Sequence, residues 1–513
     1  STRLESALNS DQPIRTLGIV GAGLMGRGIA QIAAVGGLEV RLFDARPAAP
    51  AEAIAAILPM LERLVAKGRL SDTEGAEAAA RLKPAAALSD LAGCDAVVEA
   101  IVEDLEAKRG LLRELEAVVG NDCILATNTS SLSVTSIAAA CAHPERVAGL
   151  HFFSPVPLMK IVEVINGART LPAVCDRLTA LAGCMGHSPV RAQDTPGFIV
   201  NHAGRAYLTE GLRIMGEGIA DVPTLDRVLR EAAGFRMGPC ELLDLTGLDV
   251  SHPVMESIHS QYYQEPRYRP SPITRQRLAA GLLGRKSGQG FYVYRDGEPE
   301  LVPESPTPAA RPARVFIAIQ DEAVRSQMCA LVTSLGAELD AGARPADDAL
   351  CIVAPWGEDA TSACLDAGLD PRRTVAIDVL PALDRRRTLM TTPLTDAAVR
   401  DAAHGLFGAD GVPVSVIHDS PGFITQRVMA MIVNLGCDIA QQRIASPQDI
   451  DTAVRLGLGY PAGPLAMGDA IGAARVLAIL DRMQAYTRDP RYRPSPWLIR
   501  RARLGVSLLT PEG

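Results

Sequence analysis

Short apolar runs alternate with alanine-rich amphipathic segments in the first third of the chain. Runs of this length that are rich in β-branched residues predict strands, whereas the longer segments between them predict helices. The alternation indicates a doubly wound α/β fold with a parallel sheet, which we place at residues 13–193. The predicted strands are Leu17–Val20, Val40–Phe43, Ala96–Ile101, Ile124–Ala126 and Val147–Phe153.

The apolar pattern becomes helical after residue 193. Pro196 suits the first turn of a helix, and glycines end the periodicity near Gly216, so we predict a helix between these two positions. Residues 194–297 are therefore expected to form an all-α domain. The proline-rich residues 298–312 that follow are expected to form a linker.

The helical region occurs twice in the chain. Asp194-Thr-Pro-Gly-Phe-Ile returns 225 residues later as Asp419-Ser-Pro-Gly-Phe-Ile, and Asp244 has its counterpart, Asp469, at the same shift. Register kept over such a distance indicates an internal duplication. We assign residues 419–513 to a second, repeated all-α domain. Residues 313–418 alternate between strand and helix patterns without a glycine fingerprint, which indicates a degenerate second α/β unit.

Composition narrows the class of protein. A chain of 513 residues is too long for one hydrophobic core, and 48% apolar with 21% charged residues is typical of a soluble globular protein. The formal net charge of −8 argues against nucleic acid as a partner, because phosphate binding needs a basic face.

Signals for targeting and for metal binding are weak. Ser1–Arg15 has no apolar core of signal-peptide length, and no apolar run is long enough for a transmembrane helix. The ten cysteines include no CxxC pair, so we expect reduced thiols, no metal site and a cytoplasmic location.

A glycine-rich loop follows the first predicted strand directly. The first glycine permits a tight turn, the second lets a pyrophosphate approach the backbone, and the third lets the next helix pack against the strand. The N–H groups at the start of that helix favour phosphates. The loop therefore predicts a dinucleotide site. It comprises Gly21, Ala22, Gly23, Leu24, Met25 and Gly26.

Asp44 narrows the choice of dinucleotide. It ends the second predicted strand, 23 residues after Gly21. A carboxylate at this place accepts hydrogen bonds from the adenosine ribose and repels a 2′-phosphate. We therefore predict NAD rather than NADP, a preference that the nearby Arg46 would soften.

Polar side chains follow two further predicted strands, at the edge where an open α/β sheet binds its ligands. Asn128 to Ser131 end one strand, and His151 ends the next. Removal of a hydride from an alcohol needs a base for the hydroxyl proton, and histidine titrates near neutrality. His151 is thus the candidate base, with Glu163 on a following strand as its orienting carboxylate. A purely structural histidine is the alternative.

Five ordered motifs resemble the L-3-hydroxyacyl-CoA dehydrogenases across roughly residues 15 to 295. Their order and spacing are far more specific than any one of them. They are Gly-Ala-Gly-Leu-Met-Gly26, Val-Glu-Ala-Ile-Val-Glu103, Thr-Asn128-Thr-Ser130-Ser131, His151-Phe-Phe-Ser-Pro-Val-Pro and Asp194-Thr-Pro-Gly-Phe-Ile-Val-Asn201.

The resemblance implies a role for each matching residue. His151 would be the general base, Glu163 its carboxylate partner, and Ser130 and Asn201 the groups that bind the substrate oxygen. The implied contacts of NAD further include Glu103, Lys108, Asn128, Ser130, Ser154 and Lys286, and Lys67 is implied to touch coenzyme A. Ser154 stands where the family usually has asparagine, which affects cofactor affinity rather than chemistry.

Each of these residues also has a structural alternative. Asn201 could be a helix amide packed on Phe198, and Glu163 a surface carboxylate. Ser130 could cap a helix, and Lys286 could be a solvated turn residue.

The duplicated half lacks this set of residues. At the shift of 225, Gln426 stands for Asn201 and Thr388 for Glu163, and Asp378 ends the strand that corresponds to the one bearing His151. We therefore predict one active site per chain. The second helical domain is predicted to be a packing partner, which makes the chain either a monomer with an internal pseudo-dimer or part of a homodimer.

The predicted function is reversible, NAD-dependent oxidation of L-3-hydroxyacyl-CoA to 3-oxoacyl-CoA, in fatty-acid or phenylacetate-type catabolism. A hydroxyacid or sugar-acid dehydrogenase with the same cofactor domain is one alternative, and a non-catalytic NAD-binding scaffold is the other. The sequence does not choose between 3-hydroxybutyryl-CoA and 3-hydroxyadipyl-CoA, because no carboxylate-binding arginine is identifiable.

Overall fold

A computed structural model describes residues 12–513. Residues 1–11, which carry most of the segment expected to lack a signal peptide, lie outside the described residues. The described chain forms two compact units. The first comprises residues 12–202 and Gln442–Leu458, and the second comprises Ala203–Gln441 and Gly459–Gly513. Within the described chain, no helix is both long and apolar enough to cross a membrane.

The first unit is built on an eight-stranded sheet with the order β3-β2-β1-β4-β5-β6-β7-β8. Six strands are parallel, and β7 and β8 run in the opposite direction, since β7 pairs antiparallel with β6. The strands are β1 (Thr16–Val20), β2 (Glu39–Phe43), β3 (Leu82–Pro84), β4 (Ala96–Glu99), β5 (Ile124–Thr127), β6 (Val147–Phe152), β7 (Ile161–Asn166) and β8 (Ser188–Gln193).

The doubly wound α/β prediction is confirmed, with one difference at the edge of the sheet. A purely parallel sheet was expected, but only a short loop joins β6 to β7, and a parallel pair would need a longer crossover. The reversal places the middle of β7 directly beside the end of β6, which matters for the site described below.

Helices cover the first sheet and make up most of the second unit. In chain order they are α1 (Leu24–Val35), α2 (Ala49–Ala66), α3 (Asp72–Arg81), α4 (Leu105–Val118), α5 (Val134–Ala138), α6 (Pro172–Cys184), α7 (Val200–Ala203), α8 (Arg205–Gly216), α9 (Val222–Arg227), α10 (Pro239–Thr246), α11 (Leu248–Gln261), α12 (Pro272–Ala279), α13 (Glu322–Ser334), α14 (Ala360–Asp366), α15 (Ala397–Phe407), α16 (Thr425–Gln441), α17 (Pro447–Leu458), α18 (Pro464–Ile471), α19 (Ala473–Thr487) and α20 (Pro496–Leu504).

The core of the first unit lies on both faces of its sheet. Alternate residues of β4 enter different apolar clusters, with Ala96 and Val98 on one face and Val97 on the other. This is the period of two that a strand imposes on its side chains. Because both faces are buried, the central strands β1, β4, β5 and β6 are mostly apolar, and a polar residue at a strand end is conspicuous.

The helix predicted from Pro196 begins later than expected. Residues 196–199 form a turn, and helix α7 begins at Val200. Gly197 and Phe198 both have positive φ, of 76° and 48°, which no right-handed helix accommodates. The predicted end at Gly216 is correct.

The second unit contains a smaller, five-stranded sheet with the order β11-β12-β13-β14-β15. Its pairs are parallel except β13 with β14, so it repeats the reversal between β6 and β7. The strands are β11 (Arg314–Ile317), β12 (Ala349–Val353), β13 (Thr374–Ile377), β14 (Arg387–Thr391) and β15 (Val414–Ile417). A short hairpin, β9 (Tyr294–Arg295) and β10 (Glu298–Pro299), extends into the proline-rich segment, in which Glu304 pairs with Arg386.

The two helical repeats pack together within the second unit, with α8 against α16. Glu210 of α8 is fully buried and accepts hydrogen bonds from Arg427 (3.0 Å), Arg491 (2.8 Å) and Tyr492 (2.7 Å) of the repeated half. Burial by itself raises the pKa of Glu210, but the two guanidinium groups and the Tyr492 hydroxyl outweigh it and lower the pKa to about 2. A buried carboxylate thus joins the two copies of the duplicated region.

Candidate active site

The glycine-rich loop between β1 and α1 has the shape that its sequence predicts. Gly21 has φ of 106°, and a Cβ atom there would lie 2.4 Å from the carbonyl oxygen of Ala100. A Cβ atom on Gly26 would lie 1.7 Å from the carbonyl oxygen of Gly21, so α1 packs against the turn only without a side chain at this position.

The open space at Gly23 shows that the same loop can accommodate a dinucleotide. A Cβ atom on Gly23 would meet nothing within 4 Å, so the backbone here faces open space. Gly23 is also the N-cap of α1, and no side chain caps this helix. The N–H groups at its start are therefore available to an anionic group, which helix termini favour.

Asp44 stands at the end of β2 and holds the loop. One of its carboxylate oxygens accepts a hydrogen bond from the backbone N–H of Ala22 and the other from that of Arg46, each at 2.8 Å. Each oxygen keeps a second lone pair for another donor. The guanidinium of Arg46 is paired with Glu52 at 2.5 Å and does not pair with Asp44.

His151 and Glu163 are cross-strand neighbours in the antiparallel pair of β6 and β7. The ring Nδ1 of His151 lies 2.6 Å from Oε2 of Glu163, and both side chains are buried. The ring of Phe153 packs against the imidazole with a centroid distance of 4.4 Å. Since an ionised carboxylate only accepts hydrogen bonds, the tautomer of the neutral ring that fits this contact has its proton on Nδ1 and its lone pair on Nε2.

Glu163 also fixes the start of helix α7. Its Oε1 accepts hydrogen bonds from the backbone N–H groups of Ile199 at 2.9 Å and Val200 at 3.0 Å. One carboxylate thereby links the imidazole of His151 to the helix that carries Asn201. The alternative of a solvated surface carboxylate does not describe Glu163, which is fully buried.

His151 and Asn201 border a cavity of about 310 Å³. It brings together eight of the predicted site residues, including His151, Ser130 and Asn201, and four that the prediction did not name. Its lining comprises Met25, Ala100, Ile101, Glu103, Lys108, Asn128, Ser130, His151, Phe152, Phe153, Ser154 and Asn201. Asn128 has a second contact, because its side-chain oxygen accepts the Phe152 N–H at 2.8 Å and so ties the ends of β5 and β6 together.

Two carboxylates meet one buried lysine at the edge of the cavity. The ammonium of Lys108 lies 2.9 Å from both oxygens of Glu99 and 3.3 Å from Glu103. Burial by itself raises the pKa of Glu103, but the Thr129 hydroxyl, the Lys108 ammonium and backbone N–H groups of the Ser130–Ser131 turn outweigh it and lower the pKa.

Four lining residues and Glu99 were not among the predicted site residues. Phe152 and Phe153 lie inside the motif that contains His151, and Ala100 and Ile101 lie inside the motif that ends at Glu103. Their membership in those motifs was the available signal. For Glu99, the signal was an acidic residue at the end of an otherwise apolar strand.

Lys67 and Lys286 are neither in the cavity lining nor among the loop and carboxylate residues described above. Lys67 is an exposed residue at the C-cap of α2. Lys286 belongs to the second unit, where its ammonium pairs with Asp249 at 3.0 Å.

The corresponding place in the second unit carries different residues, which hydrogen-bond to one another. Asp378 and Thr388 stand on neighbouring strands like His151 and Glu163, and the N–H of Asp378 donates to the carbonyl of Thr388 at 3.0 Å. The amide of Gln426 donates to Asp378 at 3.0 Å and accepts the N–H of Gly357 at 2.8 Å. Burial raises the pKa of Asp378 to about 6, against the opposing hydrogen bond from Gln426.

Three features define a nicotinamide-dependent dehydrogenase. They are the glycine loop where the strand order changes between β1 and β4, the acidic residue after β2, and the histidine–carboxylate pair beside the cavity. Family models agree with this class. The model of the 3-hydroxyacyl-CoA dehydrogenase NAD-binding domain matches residues 16–195, and that of the C-terminal domain of the same family matches residues 197–294 and again 422–507. The chain belongs to the 3-hydroxyacyl-CoA dehydrogenase family.

Individual relatives extend the similarity over almost the whole chain. A 3-hydroxyadipyl-CoA dehydrogenase of Escherichia coli K12 is 38% identical over 492 residues, which cover 96% of this chain and 98% of that protein. A 3-hydroxybutyryl-CoA dehydrogenase of Bradyrhizobium diazoefficiens is 38% identical over 286 residues, 56% of this chain and 97% of that protein. A crystal structure of a 3-hydroxybutyryl-CoA dehydrogenase from Escherichia coli K12 matches with a TM-score of 0.84 at 36% identity, covering 96% of this chain and 99% of that one.

These matches confirm the predicted activity and cofactor. The protein is an NAD-dependent dehydrogenase that oxidises the 3-hydroxyl group of a 3-hydroxyacyl-CoA. The two alternatives, a hydroxyacid dehydrogenase of another kind and a non-catalytic scaffold, are set aside by family membership.

Proposed function

We propose that the cavity beside His151 is the active site for oxidation of L-3-hydroxyacyl-CoA and that each chain has one. The observation that carries this proposal is the contact between His151 Nδ1 and Glu163 at 2.6 Å in a cavity that also contains Ser130 and Asn201. It supplies a base with a fixed tautomer next to groups that hydrogen-bond an oxygen atom.

In this proposal, His151 accepts the proton of the substrate's 3-hydroxyl at Nε2. Glu163 keeps Nδ1 protonated and stabilises the imidazolium that results. Because Glu163 is itself held by two backbone N–H groups, its carboxylate stays in place during the transfer. In the reverse direction, the imidazolium of His151 returns the proton to the oxygen of the 3-oxoacyl group.

Ser130 and Asn201 are proposed to bind the substrate oxygen. The C–O bond gains double-bond character as the alcohol becomes a ketone, so donors fixed at the oxygen favour the transition state. The Ser130 turn is fixed to Glu103, which accepts the N–H groups of Ser130 at 2.9 Å and Ser131 at 3.0 Å.

When bound, NAD takes up the hydride that leaves C3 of the substrate. The N–H groups of the Gly21–Gly26 loop would hold its pyrophosphate, and Asp44 its adenosine ribose. Glu103, Lys108, Asn128 and Ser154 are proposed contacts nearer the nicotinamide. Lys286 and Lys67 remain proposed contacts of NAD and coenzyme A.

We propose 3-hydroxybutyryl-CoA as the preferred substrate. The one lysine that lines the described cavity is Lys108, and its ammonium already pairs with Glu99 and Glu103. Among residues 12–513, no arginine lines the cavity. A terminal carboxylate would therefore meet no unpaired cation there. The second candidate is 3-hydroxyadipyl-CoA. It is favoured by the name of the Escherichia coli relative, 98% of whose length aligns with this chain.

The second half of the chain is proposed to have a structural role. The amide of Gln426 joins Asp378 to the turn at Gly357, and that half has no counterpart of the Gly21–Gly26 loop. The packing of α8 against α16 supports an internal pseudo-dimer of the two helical repeats.

Steady-state oxidation by the full-length chain with NAD tests this proposal. We expect turnover with both acyl-CoA substrates and the higher kcat/KM with 3-hydroxybutyryl-CoA. A higher kcat/KM with 3-hydroxyadipyl-CoA would reverse the choice of substrate, and turnover with neither would contradict the proposed site.

A further inference from the structure

Glu99 is a buried carboxylate that does not line the cavity, yet it contacts side chains of α4 and β5 next to the cavity. It ends strand β4 and has no exposed surface. Each of its carboxylate oxygens lies 2.9 Å from the ammonium of Lys108 on α4. The hydroxyl of Thr127 on β5 donates to the same carboxylate, and the N–H of Ile101 donates to it at 3.2 Å. Glu99 is therefore saturated with donors from three places in the fold.

The first connection from Glu99 to the cavity passes through Lys108. Its ammonium lies between the carboxylates of Glu99 and Glu103, 3.3 Å from the second. Glu103 in turn accepts the N–H groups of Ser130 and Ser131 and the Thr129 hydroxyl, the last at 2.6 Å. The position of Lys108 thus constrains the carboxylate that holds the serine turn.

The second connection passes through Thr127. Its hydroxyl donates to Glu99 and accepts the backbone N–H of Thr129 at 3.2 Å. The hydroxyl of Thr129 then accepts the N–H of Leu132 at 3.0 Å. Both ends of the turn that carries Ser130 therefore connect to Glu99.

Charge makes Glu99 more than a space-filling acceptor. Lys108 is only 1% exposed, and removing the anion that pairs with a buried ammonium leaves an uncompensated buried charge, which is strongly destabilising. Without the charge of Glu99, the remaining anion for Lys108 would be Glu103, which faces Lys108 with Oε2 and holds the serine turn with Oε1. Lys108 and the turn would then compete for one carboxylate.

We infer that Glu99 is a positioning residue of this dehydrogenase, which holds Ser130 at the cavity through Lys108 and Glu103 on one side and Thr127 on the other. This inference rests on the proposed role of Ser130 at the substrate oxygen. It adds that the turn is placed by a carboxylate that touches neither substrate nor cofactor.

The first test is amide hydrogen exchange of the enzyme without ligands, which depends on no assumption about catalysis. In E99Q, we expect faster exchange in the peptide that contains Ser130 and Ser131, whose N–H groups bond to Glu103. The matched control is E106Q, which removes an exposed carboxylate on α4, the helix of Lys108; among the described residues its ion pair is with Arg109. We expect E106Q to exchange like the wild type.

The second test is kinetic. E99Q is expected to lower kcat for 3-hydroxybutyryl-CoA by at least about tenfold, with a smaller change in KM, since a displaced oxygen-binding group acts mainly in the transition state. Because one of the two routes from Glu99 runs through Lys108, the loss of kcat in the double variant E99Q/K108Q should be smaller than the product of the losses in the two single variants. E106Q should keep the wild-type kcat.

Folded E99Q with wild-type exchange of the serine turn and wild-type kcat would overturn the inference, as would strictly additive effects in the double variant. If E99Q does not fold, E99D keeps the charge but shortens the reach to Lys108, and the same two measurements decide. The proposed base is tested separately through His151, so a failure there leaves the exchange result for Glu99 interpretable.

Discussion

The backbone N–H of Gln193, at the end of β8, donates to the carbonyl of Ile444 at 2.8 Å. The N–H of His418 donates in the same way to Ile219 at 3.0 Å, and both pairs of residues are related by the shift of 225. The segment Gln442–Leu458 of the repeated half thus belongs to the first compact unit. Each copy of the helical region supplies a segment to the α/β sheet of the other copy.

This exchange predicts the behaviour of the isolated first half. In a fragment of residues 1–297, the edge strand β8 lacks Ile444, and an open strand edge invites pairing. Because Ile219 is the equivalent of Ile444, we expect two fragments to exchange these segments and form a homodimer. Sedimentation equilibrium gives the mass. The fragment carrying I219D is the control, expected to dimerise less, and a well-folded monomeric fragment would contradict the prediction.

Replacement of His151 by alanine removes the proposed base. We expect kcat to fall by about 10²–10⁴-fold, the usual contribution of general acid–base catalysis. NAD affinity, measured by calorimetry, should stay close to that of the wild type, because the Gly21–Gly26 loop is unaffected. His143→Ala is the matched control, since His143 is partly exposed and pairs with Glu145. Wild-type kcat in H151A would rule out His151 as base.

Glu163→Gln is expected to invert the tautomer of His151. The N–H groups of Ile199 and Val200 require an acceptor where Oε1 now lies, so the glutamine oxygen will stay there. Its NH₂ group then faces Nδ1, which must become the acceptor and leave the proton on Nε2. We expect kcat to fall by about 10⁴-fold, as for other misassigned tautomers, with little change in KM. Near-wild-type kcat would show that the carboxylate is dispensable.

Glu210→Gln should destabilise the fold rather than alter the chemistry. It leaves Arg427 and Arg491 buried without their anion, which costs on the order of 3–5 kcal/mol of unfolding free energy. In the wild type, the pKa of Glu210 is lowered from 4.5 to about 2. Its contribution is therefore complete above pH 4.5 and is lost as the pH falls toward 2. Urea titrations across that range should give a steeper pH dependence for the wild type than for E210Q.

Asp378→Asn should stabilise the protein at neutral pH. Burial raises the pKa of Asp378 from 3.8 to about 6, so the folded state binds this proton more tightly than the unfolded state. The free energy of unfolding therefore decreases as the pH rises from 3.8 through 6. Removing the charge should recover up to about 3 kcal/mol at pH 8. No gain in urea titrations at that pH would contradict the shift.

Gln426 is a useful control for that experiment. Gln426→Leu removes the amide that donates to Asp378 Oδ1, whereas the second oxygen, Oδ2, has no hydrogen-bond partner among the described residues. Q426L should lower stability at every pH, while D378N should act only where the carboxylate ionises.

The residues of the candidate site fall into two groups according to how they could be predicted. The Gly21–Gly26 loop, Asp44 and the polar ends of β5 and β6 are local signals, because the backbone conformation and strand position that they require are written in neighbouring residues. The duplication was also readable, since identical residue types recur at one shift.

What the sequence by itself determined is therefore the α/β fold of the first half, the dinucleotide loop, the candidate base and the repeat. The tertiary structure decided the rest. The reversal of β7 placed Glu163 opposite His151, the positive φ of Phe198 brought the start of α7 to the same carboxylate, and Lys108 joined Glu99 to Glu103. The exchange of Ile219 and Ile444 belongs to the same group. These contacts join residues distant along the chain, and their free energy depends on burial and pairing that no local pattern records.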